Sequence, residues 1–230
     1  MNTGIEKLTS IWNTYSINLS KRKSKSLNPE LLHNELFFCL LGGYGIPYEL
    51  NQSAFEILRQ KGLFRLEYYQ TFENQMVSIL ERELTMPQFS PRTQQGTFRR
   101  YRYPKAKARA IFKAAQWLLH ENQRNLPAIL NTIPEETARR TRIMECPGMG
   151  MKSASWLLRN IGYATSLAII DVHILRFLTF YHFIPETYSP SKDYEKIENV
   201  FKMVCETANV PIDEGDLALW EWMHYNYRIL

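Results

Sequence analysis

A lysine and an aspartate in the second half of the chain stand where helices are expected to begin. Lys152 comes two residues after the second glycine of Cys146-Pro-Gly-Met-Gly-Met, and Asp171 ends the apolar run Leu-Ala-Ile-Ile nineteen residues after Lys152. A deprotonated lysine amine is a usable nucleophile, and the intervening chain is long enough to return Asp171 to its side. Asp171 is equally an N-cap for the helix that follows. Capping and catalysis are compatible, because the positive end of a helix favours a carboxylate.

The residues around Lys152 predict a helix-hairpin-helix. The segment 141–145 is expected to end one helix, 146–151 to form a tight turn and 152–159 to begin the next helix. Glycines at 148 and 150 permit positive φ and close backbone approach. The N–H groups at the start of the second helix lack partners inside it and attract a phosphate. A plain interhelical turn with a capping glycine is the alternative.

Apolar residues recur at helical spacing through much of the chain, and sustained strand alternation is hard to find. Five segments carry the helical pattern: 31–41, 68–80, 107–119, 152–162 and 194–208. Prolines fall between them, where they separate or begin helices. We therefore predict an all-α protein of about ten short helices in two lobes. One lobe contains residues 85–183, and residues 1–84 plus 184–230 form the other.

Basic residues are concentrated in one window, although the whole chain carries only 28 basic against 23 acidic residues. Between Glu83 and Glu121 there is no acidic residue, while eight basic residues occur there, with three aromatic residues interleaved among the first of them. They are Arg92, Phe98, Arg99, Arg100, Tyr101, Arg102, Tyr103, Lys105, Lys107, Arg109 and Lys113. This basic window predicts a face for a polyanion. A solvated surface with counter-charges from elsewhere in the fold is the alternative.

Composition indicates a globular protein, with 45% apolar and 22% charged residues in 230. The first residues lack the apolar run of a signal peptide, and no later run is long enough to span a membrane. The three cysteines, Cys39, Cys146 and Cys205, are far apart and odd in number, which fits neither a disulfide framework nor a clustered metal site. We expect a reducing compartment, the cytoplasm or nucleoid.

The turn, its lysine and the later aspartate resemble the helix-hairpin-helix Gly/Pro-Asp (HhH-GPD) superfamily of DNA glycosylases, in its lysine-bearing bifunctional branch. The segment 151–178 is most similar to the small prokaryotic 8-oxoguanine DNA glycosylases of the second type. The close match covers about 144–178, and looser similarity extends to 99–118 and 215–230.

The resemblance implies a two-lobed helical fold and a reaction on DNA. Lys152 would attack the sugar C1′ and displace the oxidised base, forming a Schiff base that permits strand cleavage by β-elimination. Asp171 would stabilise the cationic sugar. DNA contacts are expected from Gly148, Gly150, Met151, His173, Arg99, Arg100, Arg102 and Lys105. For His173, a helix-surface histidine is the alternative. Backbone carbonyls of Met144, Cys146 and Met149 would hold a monovalent cation, K⁺ or Na⁺.

Base recognition is predicted from two places in the chain. Asp216 and Trp220 lie four residues apart and so share a helix face, offering one acceptor and one stacking surface for a flipped purine. Trp220 is also compatible with a core position. Gly42 and Gly43 follow an apolar helix and would expose a carbonyl to the N7–H that distinguishes 8-oxoguanine from guanine. A simple turn is the alternative for these glycines.

Only Cys205 follows Asp171, so the four-cysteine cluster loop of related branches is missing and no iron–sulfur cluster is expected. No cofactor is required. We expect a monomeric enzyme whose partner is double-stranded DNA containing 8-oxoguanine. We expect no association with a membrane. Two alternatives stay open, a glycosylase for another oxidised base and a non-catalytic helix-hairpin-helix DNA-binding module.

Overall fold

The computed structural model describes residues 2–19, 29–43, 45–120 and 125–226. Within these residues the protein consists of twelve α-helices and one isolated antiparallel bridge, between Phe89 and Arg99. The helices are α1 (Asn2–Leu19), α2 (Pro29–Leu41), α3 (Tyr48–Gln60), α4 (Leu66–Thr71), α5 (Glu73–Thr85), α6 (Pro104–His120), α7 (Leu126–Asn131), α8 (Glu136–Met144), α9 (Met151–Asn160), α10 (Val172–Phe180), α11 (Pro190–Ala208) and α12 (Ile212–Asn226). The all-α prediction is confirmed. None of these helices combines the length and the apolar character needed to cross a bilayer.

Four of the five predicted helical segments lie within four residues of α2, α6, α9 and α11 at each end. The segment 68–80 is wrong as a single helix, because the chain leaves helical geometry at Phe72, with φ −120° and ψ 35°. Apolar spacing does not reveal this break. Tyr69, Met76 and Leu80 are all buried and stand seven and four residues apart, so both short helices bury the same side.

The described residues form two compact units. The terminal unit takes in residues of 1–26, 135–140 and 158–230, and the central unit takes in residues of 27–134 and 141–157. We expected residues 27–84 to lie in the lobe formed by 1–84 and 184–230. They belong instead to the central unit together with the basic window, because α2 packs on α3 and α6. Helices α8 and α9 each have residues in both units.

The central unit is built around aromatic side chains of α2 and its neighbours. Phe37 is fully buried and stacks on Phe64, with 4.9 Å between ring centroids, and on Tyr69, with 6.4 Å. The Tyr69 hydroxyl donates to the Leu63 carbonyl at 2.6 Å, which satisfies the one polar atom of that ring. Tyr69 also contacts Phe112 of α6, with 6.2 Å between ring centroids, so this core extends to the helix that carries four basic residues of the window.

The terminal unit packs α1 against α11 and α12. Leu8 and Ile11 of α1 are buried, and Trp12 of the same helix donates from its indole nitrogen to Glu214 of α12 at 3.0 Å. Phe177 of α10 and Phe201 of α11 are fully buried. The segment 167–170, which has no regular secondary structure, leads from this core into α10.

Candidate functional site

The hairpin between α8 and α9 is a tight turn closed by backbone hydrogen bonds. Cys146 N donates to the Ile143 carbonyl, and Met149 N donates to the Cys146 carbonyl, each at 3.0 Å. Gly148 has φ +90°, a conformation that favours glycine. A Cβ at this position would lie 3.1 Å from side-chain atoms of both Ala110 and Leu40. Gly148 therefore meets both requirements predicted for the turn, positive φ and close approach.

The start of α9 lies beside open space. The backbone bond that opens the helix runs from Ala154 N to the Gly150 carbonyl at 2.9 Å, so the N–H groups of 151–153 have no acceptor within the helix. A Cβ at Gly150 would have no atom within 4 Å, and its φ is not positive. The two glycines thus differ, because Gly148 shapes the turn and Gly150 leaves room in front of the helix.

Lys152 lies in the first turn of α9 and is partly exposed. Among the described residues of the central unit its ammonium has no hydrogen-bond or ion-pair partner. Its side chain therefore stays available beside a helix start that attracts anions.

Asp171 is the N-cap of α10, as one of its two predicted roles requires. Its Oδ1 accepts from the backbone N–H of His173 at 2.8 Å and of Ile174 at 3.1 Å. Within the described residues of the terminal unit its Oδ2 accepts no hydrogen bond. Capping therefore uses one carboxylate oxygen and leaves the other for chemistry. His173 is half-buried one residue into the helix. Its phosphate contact stays a prediction.

The basic window divides into an outer and an inner set, both in the central unit. Arg100, Arg102 and Lys105 are exposed, whereas Arg99, whose backbone pairs with Phe89, is half-buried. Helix α6 begins with no acidic residue in its first turn, so the positive end of the helix dipole adds to the charge of Lys105. This outer set is a surface suited to a polyanion.

Two residues of the basic window point inward, contrary to the prediction that the window forms one face. Tyr101 is 3% exposed and donates to the Leu41 carbonyl at 2.7 Å. Lys107 donates to the Leu40 carbonyl at 2.6 Å and to the Gly42 carbonyl. Burial lowers the pKa of Lys107 to about 8. These side chains hold the end of α2 rather than face solvent.

The glycines after α2 have internal partners. The Gly42 carbonyl accepts from Lys107, and the Gly43 carbonyl accepts from Ile46 N at 3.1 Å. A Cβ at Gly42 would meet the Trp156 ring at 2.7 Å, so this glycine permits close packing. The predicted free carbonyl is thus occupied at both positions, and a role of Gly42 or Gly43 in base binding stays a prediction.

Asp216 is a buried structural carboxylate in this structure. It is 4% exposed, forms an ion pair with Arg159 through Oδ1 and accepts from Ile169 N at 2.8 Å through Oδ2. Burial raises its pKa to about 6, against the opposing charge of Arg159. Trp220, one turn later on α12, stacks on His224 with 5.4 Å between ring centroids. The structure therefore places the two residues on one helix but gives Asp216 partners inside the protein.

Glu198 is a second buried acid, and we did not predict it from the sequence. It is 2% exposed and receives two hydrogen bonds at 2.8 Å from Arg140, which is 4% exposed. The signal was present in the chain, because Glu198 occupies an apolar stripe with Tyr194, Ile197 and Phe201 at helical spacing. A charge in such a stripe requires a buried partner.

The predicted cation site rests on backbone carbonyls of the hairpin. The Cys146 carbonyl already accepts from Met149 N at 3.0 Å, which leaves one lone pair for an ion. Met144, Cys146 and Met149 as cation ligands stay a prediction. Side chains of histidine, cysteine, aspartate and glutamate form no metal-holding group of three or more in the described part of the chain.

The chain is similar to known DNA glycosylases in both sequence and structure. The family model of 8-oxoguanine DNA glycosylase (Ogg-HhH) matches residues 16–210. An 8-oxoguanine DNA glycosylase/AP lyase of Metallosphaera sedula is 36% identical over 120 residues, which cover 52% of this chain and 57% of the relative. The matches thus span about half the length of such curated relatives.

Solved structures match over nearly the whole chain. The 8-oxoguanine DNA glycosylase of Methanocaldococcus jannaschii has a TM-score of 0.69 and 25% identity, covering 96% of this chain and 92% of that one. Its complex with a 15mer DNA containing 8-oxoguanine has a TM-score of 0.66 and 25% identity, covering 97% and 96%. The resemblance to this family is confirmed, and the roles of Lys152 and Asp171 stay predictions. Because the family model spans most of the residues, this chain belongs to the 8-oxoguanine DNA glycosylase family.

Proposed function

We propose that the protein is a DNA glycosylase with AP lyase activity that removes 8-oxoguanine from double-stranded DNA. One observation carries the proposal. Lys152 lies partly exposed in the first turn of α9, without a partner in its own unit, next to N–H groups that no helix carbonyl accepts. A helix start that binds phosphate would bring the sugar of that nucleotide to the amine. The relatives named 8-oxoguanine DNA glycosylase/AP lyase support the substrate and both activities.

The chemistry requires the damaged base to leave the stack, because its glycosidic bond cannot be reached inside a duplex. Lys152 Nζ would form a bond to C1′ as the bond from C1′ to the base breaks, and the electron pair departs with the base, which takes up a proton. The amine loses a proton and the sugar opens to a Schiff base, from which β-elimination releases the 3′ phosphate. Asp171 Oδ2 would stabilise the positive charge that develops on the sugar.

The duplex would lie on the outer set of the basic window and on the hairpin. Arg100, Arg102 and Lys105 would contact phosphates, and the N–H groups of Gly150 and Met151 would bind a phosphate beside the lesion. No organic cofactor is needed for these steps, and a K⁺ or Na⁺ at the hairpin carbonyls would support the turn. The protein would act as a monomer at the nucleoid.

Borohydride trapping on an 8-oxoguanine duplex tests the nucleophile. We expect wild-type protein to form a covalent adduct and Lys152→Gln to form none. Lys192→Gln is the matched control, since Lys192 is an exposed lysine in the first turn of α11. An adduct that survives Lys152→Gln contradicts the assignment of Lys152 as the nucleophile. Absence of an adduct from wild type contradicts the lyase chemistry and favours the non-catalytic binding module.

Base identity is tested separately by single-turnover base release. Duplexes with 8-oxoguanine, other oxidised purines, oxidised pyrimidines and guanine are compared under one condition. The proposal expects the fastest release from 8-oxoguanine and no measurable release of guanine. Faster release of another oxidised base keeps the lysine chemistry and overturns the substrate.

A further inference from the structure

The four residues before Asp171 are a buried segment without regular secondary structure that side chains hold in place. Leu167–Ile170 are each at most 8% exposed, and in the described residues they pair with no strand. Buried backbone N–H groups need acceptors, and here they must come from outside a sheet. The three acceptors, which we call the acceptor set, belong to Tyr194 and Glu198 of α11 and Asp216 of α12.

The acceptor set takes three successive N–H groups. The bonds run from Ala168 N to Glu198 at 3.0 Å, from Ile169 N to Asp216 at 2.8 Å and from Ile170 N to the Tyr194 hydroxyl at 3.1 Å. The Tyr194 hydroxyl also donates to the Ala168 carbonyl at 3.0 Å. Every residue between Leu167 and Asp171 is therefore held by a side chain from another helix.

Both acids of the acceptor set carry a buried counter-charge. Asp216 pairs with Arg159, and Glu198 pairs with Arg140 at 2.8 Å. Buried ion pairs are weak sources of stability, because desolvation offsets their attraction. The two ion pairs lie beside an apolar segment whose backbone N–H groups their acids accept. This placement favours a role in fixing the position of that backbone rather than in stabilising the fold.

We propose that the acceptor set, with Asp216 at its centre, is a group of positioning residues for Asp171, and that Asp216 does not contact the damaged base. The inference rests on the proposed function of Asp171. Ile169 is two residues before Asp171, so a shift of its N–H moves the carboxylate whose Oδ2 is left for chemistry. Misplacement of a reacting group by about 1 Å costs about 10²-fold in rate.

Protonation of Asp216 should change the pH dependence of base release, and a purely structural role of Asp216 would not predict that change. The groups facing it are Arg159 of α9, Cys205 of α11, Asp171 and the Ile169 N–H. The pKa of Asp216 is raised to about 6 by burial, with the nearby charge of Asp171 adding to the rise. Below that pH the carboxyl is neutral, its bond to Ile169 N–H weakens and Arg159 loses its partner. The rate of base release should therefore fall below about pH 6.

The test compares Asp216→Asn with wild type in single-turnover base release and in duplex affinity. We expect the maximal rate on the 8-oxoguanine duplex to fall about 10- to 100-fold, with affinity and the preference for 8-oxoguanine over guanine unchanged. The loss of rate below about pH 6 should disappear in this variant. Glu221→Gln, a partly exposed acid on the same helix, is the control and should behave as wild type.

Each result decides the inference. If Asp216→Asn keeps the maximal rate but loses affinity for 8-oxoguanine relative to guanine, Asp216 is a base contact and the inference is wrong. If Asp216→Asn does not fold, Tyr194→Phe is used instead. It removes only the hydroxyl, which accepts from Ile170 N–H and donates to the Ala168 carbonyl, and it must lower the rate at unchanged affinity. A wild-type rate in Tyr194→Phe then overturns the inference. Failure of the wild type to release any base refutes the proposed function instead.

Discussion

Replacing Gly148 with alanine should lower the free energy of unfolding by about 2–4 kcal/mol. A φ of +90° costs a residue with a Cβ about 1–2 kcal/mol. The new Cβ would lie 3.1 Å from Ala110 and Leu40, and such overpacking costs about 1–3 kcal/mol. Lower entropy of the unfolded chain offsets about 0.4–1 kcal/mol of this. For a chain of this size the melting temperature should fall by about 5–15 °C.

Gly150→Ala is the matched variant, two residues along the same turn. Its Cβ meets no atom within 4 Å, and at a helix N-cap alanine costs about 0.5–1 kcal/mol relative to glycine, so stability should change by less than about 1 kcal/mol. DNA affinity should instead fall about 10- to 100-fold, because the methyl group obstructs a phosphate at the N–H groups of 151–153.

Urea denaturation and duplex titration at fixed salt measure the two effects on both variants. We expect opposite patterns in the two variants, because Gly148→Ala loses stability and Gly150→Ala loses DNA affinity. An unchanged unfolding free energy in Gly148→Ala refutes the account of the turn. Unchanged affinity in Gly150→Ala removes the start of α9 from the DNA interface.

Three further outcomes follow from the site. Asp171→Asn should fold and bind DNA like wild type, since asparagine also caps helices. Its single-turnover base release should slow at least about 10²-fold. If the variant does not fold, capping is the main role of Asp171. Because the folded pKa of Lys107, about 8, lies below its ordinary value, urea denaturation should show the unfolding free energy of wild type rising relative to that of Lys107→Met between about pH 8 and pH 10.5, by on the order of 3 kcal/mol. Arg100→Gln should lower the slope of log affinity against log salt by about 0.9, whereas Arg59→Gln, which removes an exposed arginine paired with Glu56, should leave it unchanged.

Several features of this protein follow from local sequence. The spacing of apolar residues predicts α2, α6, α9 and α11, because an amphipathic helix carries its pattern in its own residues. Asp171 as a helix N-cap follows from an acid placed directly before Val-His-Ile-Leu, and the structure confirms it. The hairpin is predicted from Gly148, since positive φ is a demand of the local backbone.

Other features depend on partners distant in the chain. Asp216 was predicted to face a base from its spacing to Trp220, yet Arg159 and Ile169, 57 and 47 residues away, occupy its two oxygens. Lys107 was predicted to be part of a basic face, yet it caps carbonyls of residues 40 and 42. No local pattern states which polar side chain will be buried, because that depends on which helix packs over it.

The sequence by itself therefore determined the helical class, the hairpin with Lys152 at its helix start, Asp171 as a cap and the family of the chain. These depend on short-range backbone requirements and on a motif that fits within 144–178. Only the tertiary structure decided that Gly148 shapes the turn while Gly150 leaves open space before α9. It also decided that the basic window has an inner and an outer set, and that Asp216 holds the segment before Asp171. Each of these depends on whether a side chain ends in water or against backbone from another part of the chain, and packing alone settles that choice.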